Sequence, residues 1–153
     1  MFKAIVVGTD GSSSASKAVL AAAALAATQP GAVLHIVTVQ KPLSSTAIAA
    51  GDMASAAPQA LTHDWDSEIR TELESTLSRA AEAAGREGDT AIETHARFGS
   101  PAEVICDMAA HLQADLIVVG NKGMHGGRRL LGSVPNTVSH KAPCSVLIVD
   151  TID

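Results

Sequence analysis

The residues best suited to chemistry lie in a glycine-rich segment that follows an apolar run and precedes a helical pattern. The apolar run ends at Gly120, and the helical pattern begins at Gly132 and Ser133. Glycines let backbone N–H groups approach phosphate oxygens, and the N-terminus of a helix adds unpaired donors and a partial positive charge. The segment also carries three cations that would attract a polyanion: Lys122, Arg128 and Arg129. The segment predicts an anion-binding loop, and a flexible connector that contains glycines is the alternative.

The spacing of these glycines argues against two common nucleotide-binding motifs. A P-loop places a lysine directly after its second glycine, whereas Ser133 follows Gly132 in this chain. A dinucleotide fingerprint needs Gly-x-Gly-x-x-Gly after the first strand and an acidic residue at the end of the second, where Gln40 stands. A P-loop nucleotidase and a nicotinamide-dependent oxidoreductase are therefore disfavoured.

No group of side chains predicts catalysis or metal binding. Asp10 is followed by glycine and serines without a neighbouring histidine, so this stretch predicts a turn and a helix N-cap. His35 is predicted to be a buried histidine of a sheet, and His125 an exposed residue of the glycine-rich loop. Three others show no mutual spacing suited to a metal: His63, His95 and His111. We therefore expect neither a catalytic residue nor a metal ligand.

Composition argues against several classes of partner. The 153 residues carry a net charge of −5 and 2% aromatic residues, which disfavours the basic surfaces and stacking platforms of nucleic-acid-binding proteins. No stretch approaches roughly 18 consecutive apolar residues, and the first residues lack a signal-peptide pattern. Cys106 and Cys144 lie in apolar surroundings, so we expect both to be buried and reduced. The sequence predicts a cytoplasmic protein that binds neither nucleic acid nor membranes.

Short apolar runs alternate with longer helical patterns along the chain. This order is typical of an α/β domain with a doubly wound, mostly parallel five-stranded sheet and helices on both faces. We expect one domain over residues 1–153, with a flexible loop at about residues 41–59. The predicted strands are residues 2–7, 32–39, 91–96, 115–119 and 144–149. The predicted helices are residues 13–28, 61–84, 101–112 and 133–141.

The third helix has the clearest start signal, and the strand ends indicate where a ligand would bind. Ser100 is predicted as the N-cap, Pro101 as the first helical residue and Glu103 as the partner that completes a capping box. In doubly wound sheets, ligands bind outside the carboxyl ends of the strands, where the strand order reverses. Three strand ends are therefore candidates: residues 8–11, 38–40 and 120–123.

Several motifs together resemble the universal stress protein family. They are Val-Gly-Thr-Asp-Gly-Ser at residues 7–12, Val-Val-Gly-Asn-Lys-Gly at 118–123, Leu-Gly-Ser-Val at 131–134 and the tail at 139–149. The resemblance covers essentially the whole chain, in the order that the family has. It implies a Rossmann-like fold of the adenine nucleotide α-hydrolase type, and it indicates the branch of the family that binds ATP.

The resemblance implies roles for residues of the glycine-rich segment. In the nucleotide-binding branch, Gly-x-x-Gly is followed after nine residues by Gly-Ser or Gly-Thr. By this likeness Gly120 would lie against the ribose, with Asn121 in the same motif, and Gly123 would lie against the phosphates. Three further residues would complete the phosphate cradle: Gly132, Ser133 and the backbone of Val134.

Two other strand ends would complete the implied site. Asp10 would hydrogen-bond the ribose with Thr9 beside it, and the backbone near Val39 would meet the adenine edge. This chain has eight residues between Gly123 and Gly132 rather than nine. We expect the shorter loop to weaken triphosphate contacts more than contacts to adenine and ribose, because phosphate recognition needs aligned donors.

The resemblance implies a regulatory, stress-response protein that binds an adenine nucleotide. The ligand would be ATP, with Mg²⁺ bound through its phosphates, or AMP or cyclic AMP if the shorter loop has lost the triphosphate site. Any ATPase activity would be slow, because the sequence offers no evident water-positioning base. The alternative is a member that binds no nucleotide and acts through protein–protein contacts. The family also implies a homodimer through the last strand, from Cys144 to Asp150, whose apolar edge would otherwise be bare.

Overall fold

The computed structural model describes residues 1–41, 58–121 and 131–151. Strands and helices alternate along these residues, in the order that the apolar pattern predicts. The strands are β1 (Ala4–Thr9), β2 (Val33–Gln40), β3 (Ala91–Phe98), β4 (Leu116–Gly120) and β5 (Ser145–Val149). The helices are α1 (Ser13–Ala27), α2 (Pro58–Gly85), α3 (Pro101–His111) and α4 (Ser133–Lys141).

The five strands form one parallel sheet in the order β3-β2-β1-β4-β5. The chain first builds outward from β1 to β3, then returns to the other side of β1 with β4 and continues to β5. The strand order therefore reverses between β1 and β4, which is the topological switch point of a doubly wound sheet. The predicted α/β fold with a five-stranded sheet is confirmed, and every pair of neighbouring strands is parallel.

Alternate side chains of the central strands enter two separate cores. Ile5 and Val7 pack with the alanine-rich face of α1 and with α2, whereas Val6 packs with α3 and α4 on the opposite face. Small alanine side chains bring α1 close to the sheet: Ala18, Ala22, Ala23 and Ala26 are buried. Because helices cover both faces, the central strands are continuously apolar, as expected of a buried parallel sheet.

Two predicted boundaries need correction around the loop that precedes α2. The helix begins at Pro58, three residues before the predicted start at residue 61, so residues 58 and 59 belong to α2 and not to the loop. Proline fits the first helical position because its missing N–H has no intrahelical partner there. Residues 42–57 of the predicted loop lie outside the described part of the chain.

The predicted capping box at the start of α3 is wrong. Ser100 occupies the N-cap position and Pro101 the first turn, but the Ser100 side chain makes no capping hydrogen bond. The Glu103 carboxylate instead accepts a hydrogen bond from Lys141 Nζ at 3.2 Å, which links α3 to the end of α4. The Glu103 carboxylate thus binds Lys141, which is distant in sequence, whereas the capping-box pattern had predicted that it binds the start of its own helix.

Both cysteines of the chain were expected to be buried and reduced. Both cysteines are free thiols, as predicted. Cys106 is buried as predicted, but Cys144 is only half-buried, so the predicted burial of Cys144 is wrong. Burial raises the pKa of both thiols.

Within the ranges that the structure describes, no helix is long and apolar enough to cross a bilayer.

Candidate functional site

A crevice opens between β1 and β4 at the carboxyl edge of the sheet. The two strands pair through Ile5, Val6 and Val7, and the pairing ends with Val7 opposite Val118. Beyond this point β1 continues along β2 as far as Thr9, while β4 continues along β5 as far as Gly120. The two strands therefore separate at the switch point, where a ligand can enter between them.

The crevice is a cavity of about 630 Å³. Its volume lies within the range of roughly 300–1,000 Å³ that is usual for small-molecule sites. The predicted site residues Thr9, Asp10, Val39, Gly120, Gly132, Ser133 and Val134 all line it. The structure thus brings together residues from three strand ends and one helix start that are up to 125 positions apart in sequence.

The turn after β1 supplies the polar wall of the cavity. Thr9 Oγ1 accepts a hydrogen bond from the Gly11 N–H at 3.2 Å, and Asp10 Oδ1 accepts one from the Ser12 N–H at 3.0 Å. Gly11 has a φ of +77°, which glycine adopts without strain. Ser12 then caps α1 by accepting from the Ala15 N–H at 3.2 Å. The predicted turn and N-cap are confirmed, and they hold the exposed Asp10 carboxylate at the cavity wall.

The start of α4 supplies the part of the cavity best suited to an anion. Gly132 is the N-cap, no side chain of the described residues caps the first turn, and that turn holds no acidic residue. Pro135, the third helical residue, has no N–H, so the backbone donors of this turn belong to Gly132, Ser133 and Val134. Ser133 adds a hydroxyl. Donors in this position together carry the partial positive charge of the helix N-terminus.

The other helices of the cavity wall start at the same edge. α1 and α3 contribute Ser12, Ser14 and Pro101 to the lining, so the amino ends of three helices surround one cavity. Lys41, directly after β2, adds a cationic side chain. The electrostatic field of the crevice therefore favours a ligand with negative charge.

The floor of the cavity is apolar and depends on Gly8. Val37, Ile105 and Val119 line it. A Cβ atom at position 8 would lie 2.7 Å from Ile105 Cδ1, which is closer than two carbon atoms can approach. Glycine at the end of β1 thus lets α3 pack directly onto the floor. Gly8 belongs to one of the three candidate strand ends, residues 8–11, but its contact with α3 could not be predicted from the sequence.

Gly120 and Asn121 have partners that the sequence did not predict. A Cβ atom at Gly120 would lie 3.1 Å from Thr151 Cγ2 and 3.4 Å from the Ser14 carbonyl oxygen. Asn121 Oδ1 accepts hydrogen bonds from the Thr151 N–H at 3.0 Å and from Thr151 Oγ1 at 2.7 Å, and its Nδ2 donates to Asp150 Oδ1 at 2.8 Å. Both residues therefore hold the segment after β5 against the end of β4.

Several sequence-based statements concern residues whose side chains the structure does not describe. Gly123 and the loop cations Lys122, Arg128 and Arg129 fall between residues 122 and 130, as does His125. His63 lies in α2, where the backbone alone is described. The predicted contact of Gly123 with phosphates stays a prediction.

The histidines gave a result that spacing along the chain did not predict. His35 is buried in β2, as expected. Its Nδ1 lies 3.2 Å from His95 Nε2 and 3.3 Å from Glu93 Oε2, both on β3. His35 and His95 are 60 positions apart in sequence, so spacing along the chain could not show that they are neighbours. The expectation that the chain has no metal ligand stays a prediction.

Comparison with known proteins agrees with the fold and the strand-end motifs. The sequence model of the universal stress protein family matches residues 1–150. The chain belongs to the universal stress protein family. The resemblance inferred from the motifs at β1, β4 and α4 is confirmed over nearly the whole chain.

Universal stress proteins of known sequence or structure match this chain at full length. One from Mycobacterium tuberculosis strain H37Rv is 36% identical over 151 residues, which are 98% of this chain and 97% of that protein. The crystal structure of a universal stress protein in complex with cAMP has 32% identity and a TM-score of 0.74, and the match covers 99% of this chain and 98% of that one. A universal stress protein from Archaeoglobus fulgidus in complex with dAMP has 25% identity and a TM-score of 0.68, over 97% and 98% of the two chains.

Proposed function

We propose that this protein binds an adenine nucleotide in the crevice between β1 and β4 and acts as a nucleotide-responsive regulator. The observation that carries the proposal is the cavity itself, which the amino ends of α1, α3 and α4 surround at the switch point of the sheet. Two similar universal stress proteins have been solved with adenine nucleotides, one with cAMP and one with dAMP. The partial positive charge of the three helix ends and the apolar floor of the cavity together favour an anionic ligand with an apolar ring.

The phosphate group would lie at the start of α4. Gly132, Ser133 and Val134 offer three backbone donors and one hydroxyl in a turn without a competing carboxylate. This number of donors suits the oxygens of one phosphate group, because each oxygen needs an aligned N–H or O–H within about 3 Å. Further phosphates of ATP, and the Mg²⁺ that they bind, would depend on residues 122–130.

The nucleoside would occupy the rest of the crevice. The Asp10 carboxylate is an acceptor at the cavity wall, so it would receive hydrogen bonds from ribose hydroxyl groups. Val37, Val39 and Ile105 provide an apolar surface for the purine ring. β2 extends past the end of β1, since Thr9 pairs with Thr38, and so Val39 projects beside the crevice.

From this arrangement we propose that AMP and cyclic AMP bind more tightly than Mg-ATP. One phosphate uses the cradle at α4, whereas the loop that would receive the β- and γ-phosphates is one residue shorter than in the ATP-binding pattern. Cyclic AMP also brings less negative charge than Mg-ATP into a protein whose net charge is −5.

The experiment is a calorimetric titration of the nucleotide-stripped protein with cyclic AMP, AMP and Mg-ATP. Ser133→Glu places a carboxylate in the phosphate cradle at a helix position that favours acidic residues, so the variant should fold and lose affinity by at least about 100-fold. Ser78→Glu, at an exposed serine of α2, is the matched control and should bind as the wild type does.

Each outcome of the titration decides between the candidate functions. Saturable binding that Ser133→Glu abolishes and Ser78→Glu preserves supports the proposal, and the ranking of the three ligands tests the single-phosphate cradle. Absence of measurable heat with all three nucleotides, from a folded wild-type protein, would overturn the proposal and favour the alternative in which the protein acts through protein–protein contacts alone.

We also propose that the protein forms a homodimer through β5. This strand is an edge of the sheet, and among the described residues it pairs with β4 alone. Leu147, in the middle of β5, is 38% exposed. An apolar edge strand with unpaired backbone groups is normally covered, and pairing with a second copy around a twofold axis would cover it.

A further inference from the structure

A second group of chemically capable side chains lies across β2 and β3, outside the set of residues that line the crevice. It consists of His35 on β2 and of Glu93 and His95 on β3. His35 Nδ1 is 3.2 Å from His95 Nε2 and 3.3 Å from Glu93 Oε2, and His95 Nε2 is 3.9 Å from the same Glu93 oxygen. Three potential ligand atoms therefore lie within 3.9 Å of one another.

The sheet register creates this group. His35 pairs with Glu93 and Val37 pairs with His95 in the parallel ladder. Residues two apart on a strand point to the same face, and Val37 packs in the core beneath α3 and α4. The three side chains therefore share one face of the sheet, and the backbone hydrogen bonds of two strands hold them in place.

The separations match the geometry of a metal site. A point equidistant from three atoms at these separations lies about 2.0 Å from each, and Zn–N and Zn–O bonds are about 2.0–2.2 Å long. Without a metal, the two nitrogens can approach to 3.2 Å only if one of them carries a proton that it donates to the other. A metal ion at the equidistant point would take the place of that proton.

We propose that His35, Glu93 and His95 form a binding site for a divalent transition-metal ion of the Zn²⁺ type. Two imidazole nitrogens and one carboxylate oxygen are a ligand set that zinc accepts, whereas Mg²⁺ and Ca²⁺ prefer six or more oxygen ligands. Glu93 is 59% exposed, so a fourth position opens towards solvent and would hold water or a ligand from a small molecule.

One cationic side chain, Arg97, lies on the same strand as Glu93 and His95. Arg97 acts against a bound cation, but its Nη1 donates to the Ala96 carbonyl oxygen at 2.9 Å, and the Glu93 carboxylate supplies a negative charge within the group itself.

Metal binding would join an edge strand to the interior of the sheet. β3 is the outermost strand on its side, and His35 is on the strand next to it. A ligand that binds the folded state and not the unfolded chain raises the melting temperature as its concentration rises above its Kd. Zn²⁺ should therefore increase thermal stability in a saturable manner.

The test uses the full-length protein without a polyhistidine tag, stripped of metal with a chelator. Zn²⁺ titration followed by calorimetry should show one site per chain, and Zn²⁺ should raise the melting temperature. Glu93→Gln and His95→Gln remove one ligand each without emptying the buried core. Because loss of a residue that only orients a ligand already costs about 10–100-fold in metal affinity, each variant should lose at least tenfold.

The controls separate this site from adventitious binding. Glu87→Gln and His111→Gln change an exposed glutamate and an exposed histidine outside the group and should leave Zn²⁺ affinity unchanged. Co²⁺ should give the visible absorption of a nitrogen- and oxygen-ligated ion, without the charge-transfer band of a thiolate. Equal affinity in wild type, Glu93→Gln and His95→Gln, a thiolate band, or no Zn²⁺ binding would overturn the proposal.

Discussion

A carboxylate lies at each end of β1, one at the edge opposite the crevice and one at the cavity wall. At the start of the strand, Asp115 Oδ2 accepts hydrogen bonds from the backbone N–H groups of Lys3 at 2.6 Å and Ala4 at 3.0 Å. The Asp115 N–H donates to the Ala4 carbonyl oxygen at 2.9 Å. These bonds join β1 to the residue before β4, at the edge opposite the crevice. At the other end of β1, Asp10 shapes the turn that faces the cavity.

The Asp115 carboxylate should make stability depend on acidity. Hydrogen bonds from the Ala4 and Lys3 N–H groups lower its pKa below the usual 3.8. A carboxylate whose folded-state pKa is lowered stabilises the protein fully above pH 3.8, and this stabilisation is lost as the pH falls through the folded-state value. We expect Asp115→Asn to be less stable than the wild type near pH 7, with the difference shrinking below pH 3.8. Urea unfolding across this range measures the difference.

The control for this prediction is Asp89→Asn, at an exposed aspartate between α2 and β3. Its stability should follow that of the wild type over the same pH range. A constant difference between wild type and Asp115→Asn from neutral pH to well below pH 3.8 would contradict the proposed role of these hydrogen bonds.

Individual residues of the crevice could be predicted because strand ends are visible in the sequence. β-Branched runs that end in Gly8-Thr9-Asp10 and Gly120-Asn121 mark the edge where parallel strands deliver ligand contacts. The partners of Asn121 could not be predicted, since they depend on where the segment after β5 returns. The contact between His35 and His95 was missed for a similar reason: it requires the register of β2 with β3.

At the scale of single elements, α1 and α3 differ in how their first turns are satisfied. Ser12 and Ser100 are both N-cap residues, but only Ser12 accepts a side-chain capping bond, from the Ala15 N–H. Ser12→Ala should therefore reduce the free energy of unfolding by about 1 kcal/mol, whereas Ser100→Ala should change it by only a few tenths. Urea denaturation of the two variants measures this difference, and equal losses would contradict it.

The positions and approximate lengths of the helices could be predicted from the spacing of apolar residues. The exact first and last residues of a helix could not always be predicted. The pattern places α4 at residues 133–141, where the structure has it, because a glycine at the N-cap position and a proline in the first turn are local signals. The start of α2 was misplaced because Pro58 precedes the first residue of the apolar stripe. At α3, the Glu103 side chain has a tertiary partner in Lys141, and local sequence carries no information about that partner.

At the scale of the whole molecule, the proposed dimer predicts the mass in solution. We expect about twice the 15.6 kDa of one chain by light scattering or sedimentation equilibrium. Leu147→Glu places like charges near each other where two β5 strands meet, so it should shift the protein towards monomers. Leu20→Glu on α1 is the matched control, because Leu20 is 36% exposed and Leu147 is 38% exposed.

A dimer that survives Leu147→Glu and dissociates with Leu20→Glu would move the interface from β5 to the outer face of α1. A monomeric wild type at micromolar concentration would exclude the proposed interface. The mass measurement requires neither nucleotide addition nor metal removal, so it tests the proposed dimer separately from the two binding proposals.

The overall topology could be predicted from the alternation of strand and helix patterns in the sequence, together with the general right-handedness of crossover connections. Strands that alternate with helices, joined by right-handed crossovers, produce a doubly wound parallel sheet, and the family match over residues 1–150 agrees with it. The volume of the crevice depends on where β1 and β4 stop pairing. The end of this pairing at Val7 and Val118 and the packing of α3 against Gly8 are both tertiary features, which apolar patterns along the chain do not display.

The most direct test of nucleotide binding in the crevice is an amide NMR titration of the ¹⁵N-labelled, nucleotide-stripped protein with cyclic AMP. We expect saturable chemical-shift changes at the crevice, with the largest at Thr9, Val39, Gly120 and Val134, and little change at the middle of α2. No saturable shifts, or shifts that cluster away from the switch point between β1 and β4, would contradict nucleotide binding at this site.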